Sequence, residues 1–152
     1  MTASVFDGLK NAQVFERGTF VNGNGFFDLT VERMLVRDTV DKGVCFFAEF
    51  RVNTSTMAEH PVGSKISWCQ KMSNKITAFS NLKPLFYAAL GYNYPDDKVE
   101  IEKTVDPKLE QIAAEACDAK NPMKGTKLRV ETKMIKTQKD KKDFTVFNWQ
   151  PG

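Results

Sequence analysis

The single histidine, His60, and the three cysteines, Cys45, Cys69 and Cys117, are the natural places to look for acid–base, nucleophilic or metal chemistry in this chain. His60 stands beside Pro61 with no serine or cysteine signature around it, so it is expected to be a solvent-exposed loop residue. The cysteines lie too far apart for a zinc site, whose ligands come in closely spaced pairs, and their odd number closes no disulfide framework. Asp96, Asp97, Glu100 and Glu102 are close together, but their spacing matches no calcium loop and predicts a solvated acidic face. Gly23-Asn24-Gly25 precedes a strand-like run, not the helix N-terminus that a phosphate-binding loop needs. The sequence thus predicts a protein without catalysis, metal or cofactor.

A different chemistry is better represented. Single-stranded nucleic acid is held by aromatic rings, on which bases stack, and by lysine and arginine, which pair with phosphates. Phe47 falls opposite the apolar stripe Val44, Phe46, Ala48, Phe50 and shares its face with Arg51. The bland alternative is that a helical insert or the N-terminal arm covers it. Trp68 lies between Lys65 and Lys71, and its alternation with Ile66 makes core packing the competing role. Phe147 and Trp149 share one face of the last strand while Phe144 and Val146 share the other, so one of these faces must meet DNA, the rest of the barrel or another subunit. Lys136, Lys139, Lys141 and Lys142 cluster around a loop near the C-terminus, and Arg37 and Lys42 flank the loop of an earlier hairpin. Together these two loops would form one rim of a groove.

The elements that must position these residues are mostly strands. Phe27, Leu29, Val31 and Leu35 alternate with polar residues from Gly25 to about Arg37, and Arg33 and Met34 break the phase as a bulge would. Val44 to Asn53 pairs with this run as a hairpin, and Gly63 to Lys71 forms a third strand. The period then changes: Leu82, Leu85, Phe86, Ala89 and Leu90 recur at helical spacing up to Gly91, a suitable C-cap position. Pro84 is tolerable only if the helix begins near it, so Asn74 to Ser80 is expected to be a separate turn. Asp106 and Pro107 look like the N-cap and first residue of a second helix carrying Leu109, Ile112, Ala113 and Ala116. Gly125 to Thr137 and Phe144 to Gln150 close the chain as a hairpin. The predicted core is Phe27, Leu29, Val31, Val44, Phe46, Phe50, Ile66, Phe86 and Leu90.

This order predicts one mainly β domain over residues 1–152, with 1–18 as an arm: a five-stranded OB-type barrel with a two-part helical insert between strands 3 and 4. A small α+β sheet would also satisfy it. At 152 residues with 41% apolar content, one core fills without disulfides or metal. The N-terminus lacks a signal peptide's basic and apolar regions and no stretch approaches a membrane span, so a soluble, cytoplasmic protein is expected. The net charge of +3 says little, but its distribution is uneven. From Pro61 to Gly91 there are four lysines and no acid, and from Met123 onward bases outnumber acids, whereas Tyr92 to Pro122 is acidic. Such segregation suits a one-sided groove for a polyanion.

In order and texture the chain resembles the small single-stranded DNA-binding proteins of tailed bacteriophages. The resemblance rests on Gly25-Phe-Phe-Asp-Leu-Thr-Val, Cys45-Phe-Phe-Ala-Glu-Phe-Arg-Val, Val62-Gly-Ser-Lys-Ile-Ser-Trp, Leu85-Phe-Tyr-Ala-Ala-Leu-Gly91 and the closing hairpin from Gly125 to Trp149. It implies an OB-fold that protects exposed strands during phage replication or recombination in the host cytoplasm. Single-stranded DNA would be the partner, with self-association or replication proteins as further ones. The implied binding residues are Phe47, Arg51, Lys65, Trp68 and Lys133. Many proteins of this class carry an acidic tail, and the resemblance does not extend to one. The alternative function is a structural or assembly domain that binds protein instead of nucleic acid.

Overall fold

The computed structural model describes residues 18–39, 43–136 and 143–152. Six strands form one mixed sheet in the order β1-β4-β3-β2-β5-β6. They are β1 (Thr19–Phe20), β2 (Gly25–Thr39), β3 (Gly43–Ser55), β4 (Lys65–Lys71), β5 (Lys127–Lys136) and β6 (Asp143–Pro151). Only β1 and β4 run parallel. The sheet curls into a half-barrel with a helical insert between β4 and β5, OB-like in general terms. The extra strand relative to the five expected is β1, two residues too few to give a periodic signal.

Strand phase follows the alternation of the sequence. Phe27, Leu29 and Val31 of β2, Phe46, Ala48, Phe50 and Val52 of β3, and Leu128 and Val130 of β5 are all buried in one core. The register of β2 on β3 shifts between Val31 and Arg33, which leaves Glu32 as the extra residue of a bulge. Past it, Met34 turns inward and is buried, while Leu35 turns outward beside Phe47, the reverse of their expected sides. A second shift, between Asp28 and Leu29, leaves Asn53 as the extra residue and so bulges β3 instead.

Two of the predicted core residues are not in it. Val44 is 45% exposed, because the β2–β3 hairpin projects past its neighbours: β4 ends at Lys71 opposite Cys45, and β5 pairs only with Gly25 to Thr30. Leu90 is 37% exposed, since it is the C-cap of its helix, where the chain turns away. Gly91 follows it at φ +89°, the left-handed backbone that glycine adopts without a Cβ penalty.

Helix α1 spans Lys75–Ala89 without interruption, with Asn74 as N-cap accepting the Thr77 N–H. Pro84 therefore sits inside the helix, not at its start. It removes the N–H that the carbonyl of Ser80 would otherwise receive, and Ser80 is exposed, so solvent can serve that carbonyl instead. The second part of the insert runs through helix α2 (Lys98–Glu100), a π turn (Ile101–Val105) and a 3-10 turn (Asp106–Lys108) into helix α3 (Leu109–Ala116). Asp106 does not cap it. Its carboxylate instead accepts the Tyr87 hydroxyl at 2.6 Å, tying the two parts of the insert together. Burial first, then this hydrogen bond and the Asp106 charge, push the Tyr87 phenol well above its ordinary pKa, so it stays a donor.

The link from β1 to β2 straps the open side of the half-barrel. The Gly23 N–H donates to Thr145 Oγ1 of β6, and Asn24 Oδ1 accepts the Met134 N–H of β5. Just before β1, a Cβ on Gly18 would lie 2.6 Å from the Ile66 carbonyl carbon and 2.7 Å from Ser67 Oγ. Because one of these contacts is backbone, Gly18→Ala is expected to cost about 1 to 3 kcal/mol by forcing β1 off β4. A thermal melt unchanged from the wild type would contradict that packing.

Candidate nucleic-acid interface

Side chains on β3 alternate between the core and the outside of the curved sheet, and register extends each outward position into a rank across the neighbouring strands. Arg37, Cys45 and Lys71 form one rank, and Leu35, Phe47 and Cys69 the next. Arg33, Glu49, Ser67 and Phe20 follow, and then Thr30, Arg51 and Lys65. Of the predicted binding residues, Arg37, Phe47, Arg51 and Lys65 thus share one face.

That face is partly open. Arg37, Arg51 and Lys71 are exposed and Lys65 and Phe47 are half-buried, but Cys45, Glu49 and Ser67 are buried despite pointing outward. Phe47 is therefore neither a core residue like Phe46 nor a free ring. Phe20, at 56% exposure, adds an aromatic residue to the same face. Sequence reasoning assigned no role to it, because only pairing with β4, 47 residues away by the register Phe20 to Ser67, places it there.

Charge on this side is interleaved, not continuous. Arg51 Nε lies 2.9 Å from Glu32, and Arg129 Nε lies 2.9 Å from Asp28. Lys133 of β5 lies 3.4 Å from Glu131 and on a different part of the sheet from the ranks above. Such exposed pairs stabilise the fold by only about 0 to 1 kcal/mol, so a phosphate can compete for any of the three bases at small cost. The charge segregation along the chain does not become a basic strip on these strands. Lys42, Lys139, Lys141 and Lys142 lie outside the described residues.

Trp68 points the other way. Its ring meets Phe46 at 6.1 Å, Phe147 at 6.2 Å and Trp149 at 5.5 Å, on the core side of the sheet where β4 faces β6. The apolar face of the last strand thus meets the other edge of the half-barrel. Trp68 and Phe147 remain half-buried because, among the described residues, no strand pairs across that gap, and together they line a cleft.

The sequence matches no protein-family model and no curated protein. The site must speak through its own residues.

His60 corrects an expectation. It is buried, its Nδ1 lies 3.3 Å from Thr19 Oγ1, and its ring meets Phe27 edge-on at 6.0 Å, so it fastens β1 to the core. Among the described residues, no three histidine, cysteine or carboxylate side chains gather to hold a metal ion. Burial pushes the Cys117 thiol above its ordinary pKa, which lowers its thiolate fraction and its reactivity. No described helix is long and apolar enough to cross a membrane.

Proposed function

We propose that this protein binds single-stranded DNA with little regard to sequence, as a five-stranded OB-type barrel to which β1 is an addition, and protects exposed strands in phage replication or recombination without itself catalysing a reaction. The observation that carries this reading is the outward face of β3 and β4. It gathers Phe47 and Phe20 with Arg37, Arg51, Lys65 and Lys71, the pairing of rings and bases that a sequence-tolerant strand groove uses. Meander, insert and closing hairpin follow in the order of an OB-fold, whose ligands lie across the second and third strands of the barrel, here β3 and β4. That second support is one of fold analogy. A soluble protein of the host cytoplasm fits the same role.

Titration with fluorescent oligo-dT and the matching duplex, at several salt concentrations, tests the proposal. Single-strand preference at micromolar affinity or tighter is expected, with log K falling by about 0.7 per phosphate contact for each tenfold rise in salt. Absence of binding at low salt would sink the reading. A protein-binding role would then gain from Ile76 and Phe79 of α1, exposed at 83% and 50% beside the groove between α1 and α3.

A further inference from the structure

The unclosed gap between β4 and β6 has a chemical character of its own. It is a cleft of about 390 Å³, floored by α1 and walled by the half-buried rings of Trp68 and Phe147. That volume lies within the range of small-ligand sites. None of the described residues lining it is charged. Its polar groups are neutral carboxamides and hydroxyls, among them Gln70, Asn81 and Asn148.

Two of these amides are held in place. Asn81 Nδ2 donates to Gln70 Oε1 at 2.9 Å, and Gln70 Nε2 donates to the Lys71 carbonyl at 2.9 Å. Each carboxamide has two donors and two acceptor lone pairs, so this chain leaves Asn81 Oδ1 and one N–H on each nitrogen to meet a ligand. Ser80 and Pro84 also line the cleft, and Pro84 deprives the Ser80 carbonyl of the N–H four residues on. Beside it, Trp149 touches both Trp68 and Phe147, and its indole N–H is buried without a hydrogen-bond partner. Adjoining aromatic rings with neutral donors and acceptors at their edge match a planar, uncharged heteroaromatic ring that carries donors and acceptors on its rim.

We infer that the β4–β6 cleft is a pocket for one unstacked nucleobase, packed against the adjoining rings of Trp68 and Phe147 and hydrogen-bonded along its edge by Asn81 and Gln70. This inference rests on the single-strand reading for the chain that delivers the base. The outer face of β3 and β4 would bind the strand's backbone and further bases, while the cleft takes one base out of the stack.

The test titrates the four deoxynucleosides into the full chain, read by tryptophan fluorescence and by NMR of the side-chain amides. Quenching together with shifts of the Asn81 and Gln70 amide signals is expected. Phe147→Leu, which keeps an apolar side chain but removes the stacking ring, should weaken binding about tenfold. Asn81→Ala, at an exposed position, is the second variant should Phe147→Leu melt early, and it should weaken binding several-fold. No response to any nucleoside at millimolar concentration overturns the inference. If oligo-dT binds while nucleosides do not, and both variants hold the oligonucleotide as tightly as the wild type, the cleft is refuted and the single-strand reading stands. If nucleosides bind there but oligo-dT does not, the cleft stands and the single-strand reading falls.

Discussion

Replacing Phe50 with alanine should destabilise the protein by about 3 to 5 kcal/mol, because a fully buried ring loses both its transfer free energy and the contacts around the cavity it leaves. Phe50 lies at the middle of β3, between Val31 of β2 and Ile66 of β4, and its ring sits 5.2 Å from that of Trp149. Nothing nearby can collapse into the space without moving the sheet, since its neighbours on both sides are themselves fully buried strand residues. For a chain of this size the loss corresponds to a fall in melting temperature of roughly 10 °C. A melt within a degree or two of the wild type would mean that the strand is phased the other way.

Phe47→Ala is expected to act on binding more than on stability. The ring lies on the outward face between Leu35 and Cys69, one rank from the Glu49 and Phe20 rank and two from Arg51. A base stacked on it is worth roughly 1 to 3 kcal/mol whatever its identity, so oligo-dT and oligo-dA should both weaken by about one to two powers of ten. Because the residue is half-buried, some loss of stability will accompany this, but well below that of Phe46→Ala. Phe46 is the matched control: the same residue type one position earlier, buried against Trp68 and Phe86. Full affinity in a stable Phe47→Ala variant would move the stacking site away from β3, whereas two equally unstable variants would make Phe47 part of a second core.

Much of the half-barrel was legible because a strand's side-chain period is local. Polar and apolar residues alternating over Gly25 to Val31 and over Val44 to Asn53 allow one buried face only, and the structure buries that face. The break at Arg33 signalled a bulge for the same reason, and Gly91 ends α1 because its backbone conformation is one that few other residues adopt. The alternation did not reveal how far each face is covered. Val44 continues the apolar stripe but sits where the hairpin has outrun its neighbours, and Cys45 and Glu49 point outward but are buried.

The remaining differences arose wherever a residue's partner is distant in sequence. Local chemistry offered Asp106 a capping role, but its carboxylate accepts the Tyr87 hydroxyl from the other part of the insert instead. Pro84 read as a helix start, yet packing of Leu82, Leu85 and Phe86 into the core carries the helix through it. His60 read as a loop residue and is held by Thr19 and Phe27. The sequence by itself determined the strand phases up to the bulge, the bulge itself and the helix end, all set by periodicity and backbone preference within a few residues. Only tertiary structure decided that Phe47 and Trp68 lie on opposite faces of the sheet, that Phe20 joins the first, and that Phe147 meets the second across an unpaired gap. Those outcomes depend on which edges a curved sheet brings together, and that is fixed by burial summed over the whole core.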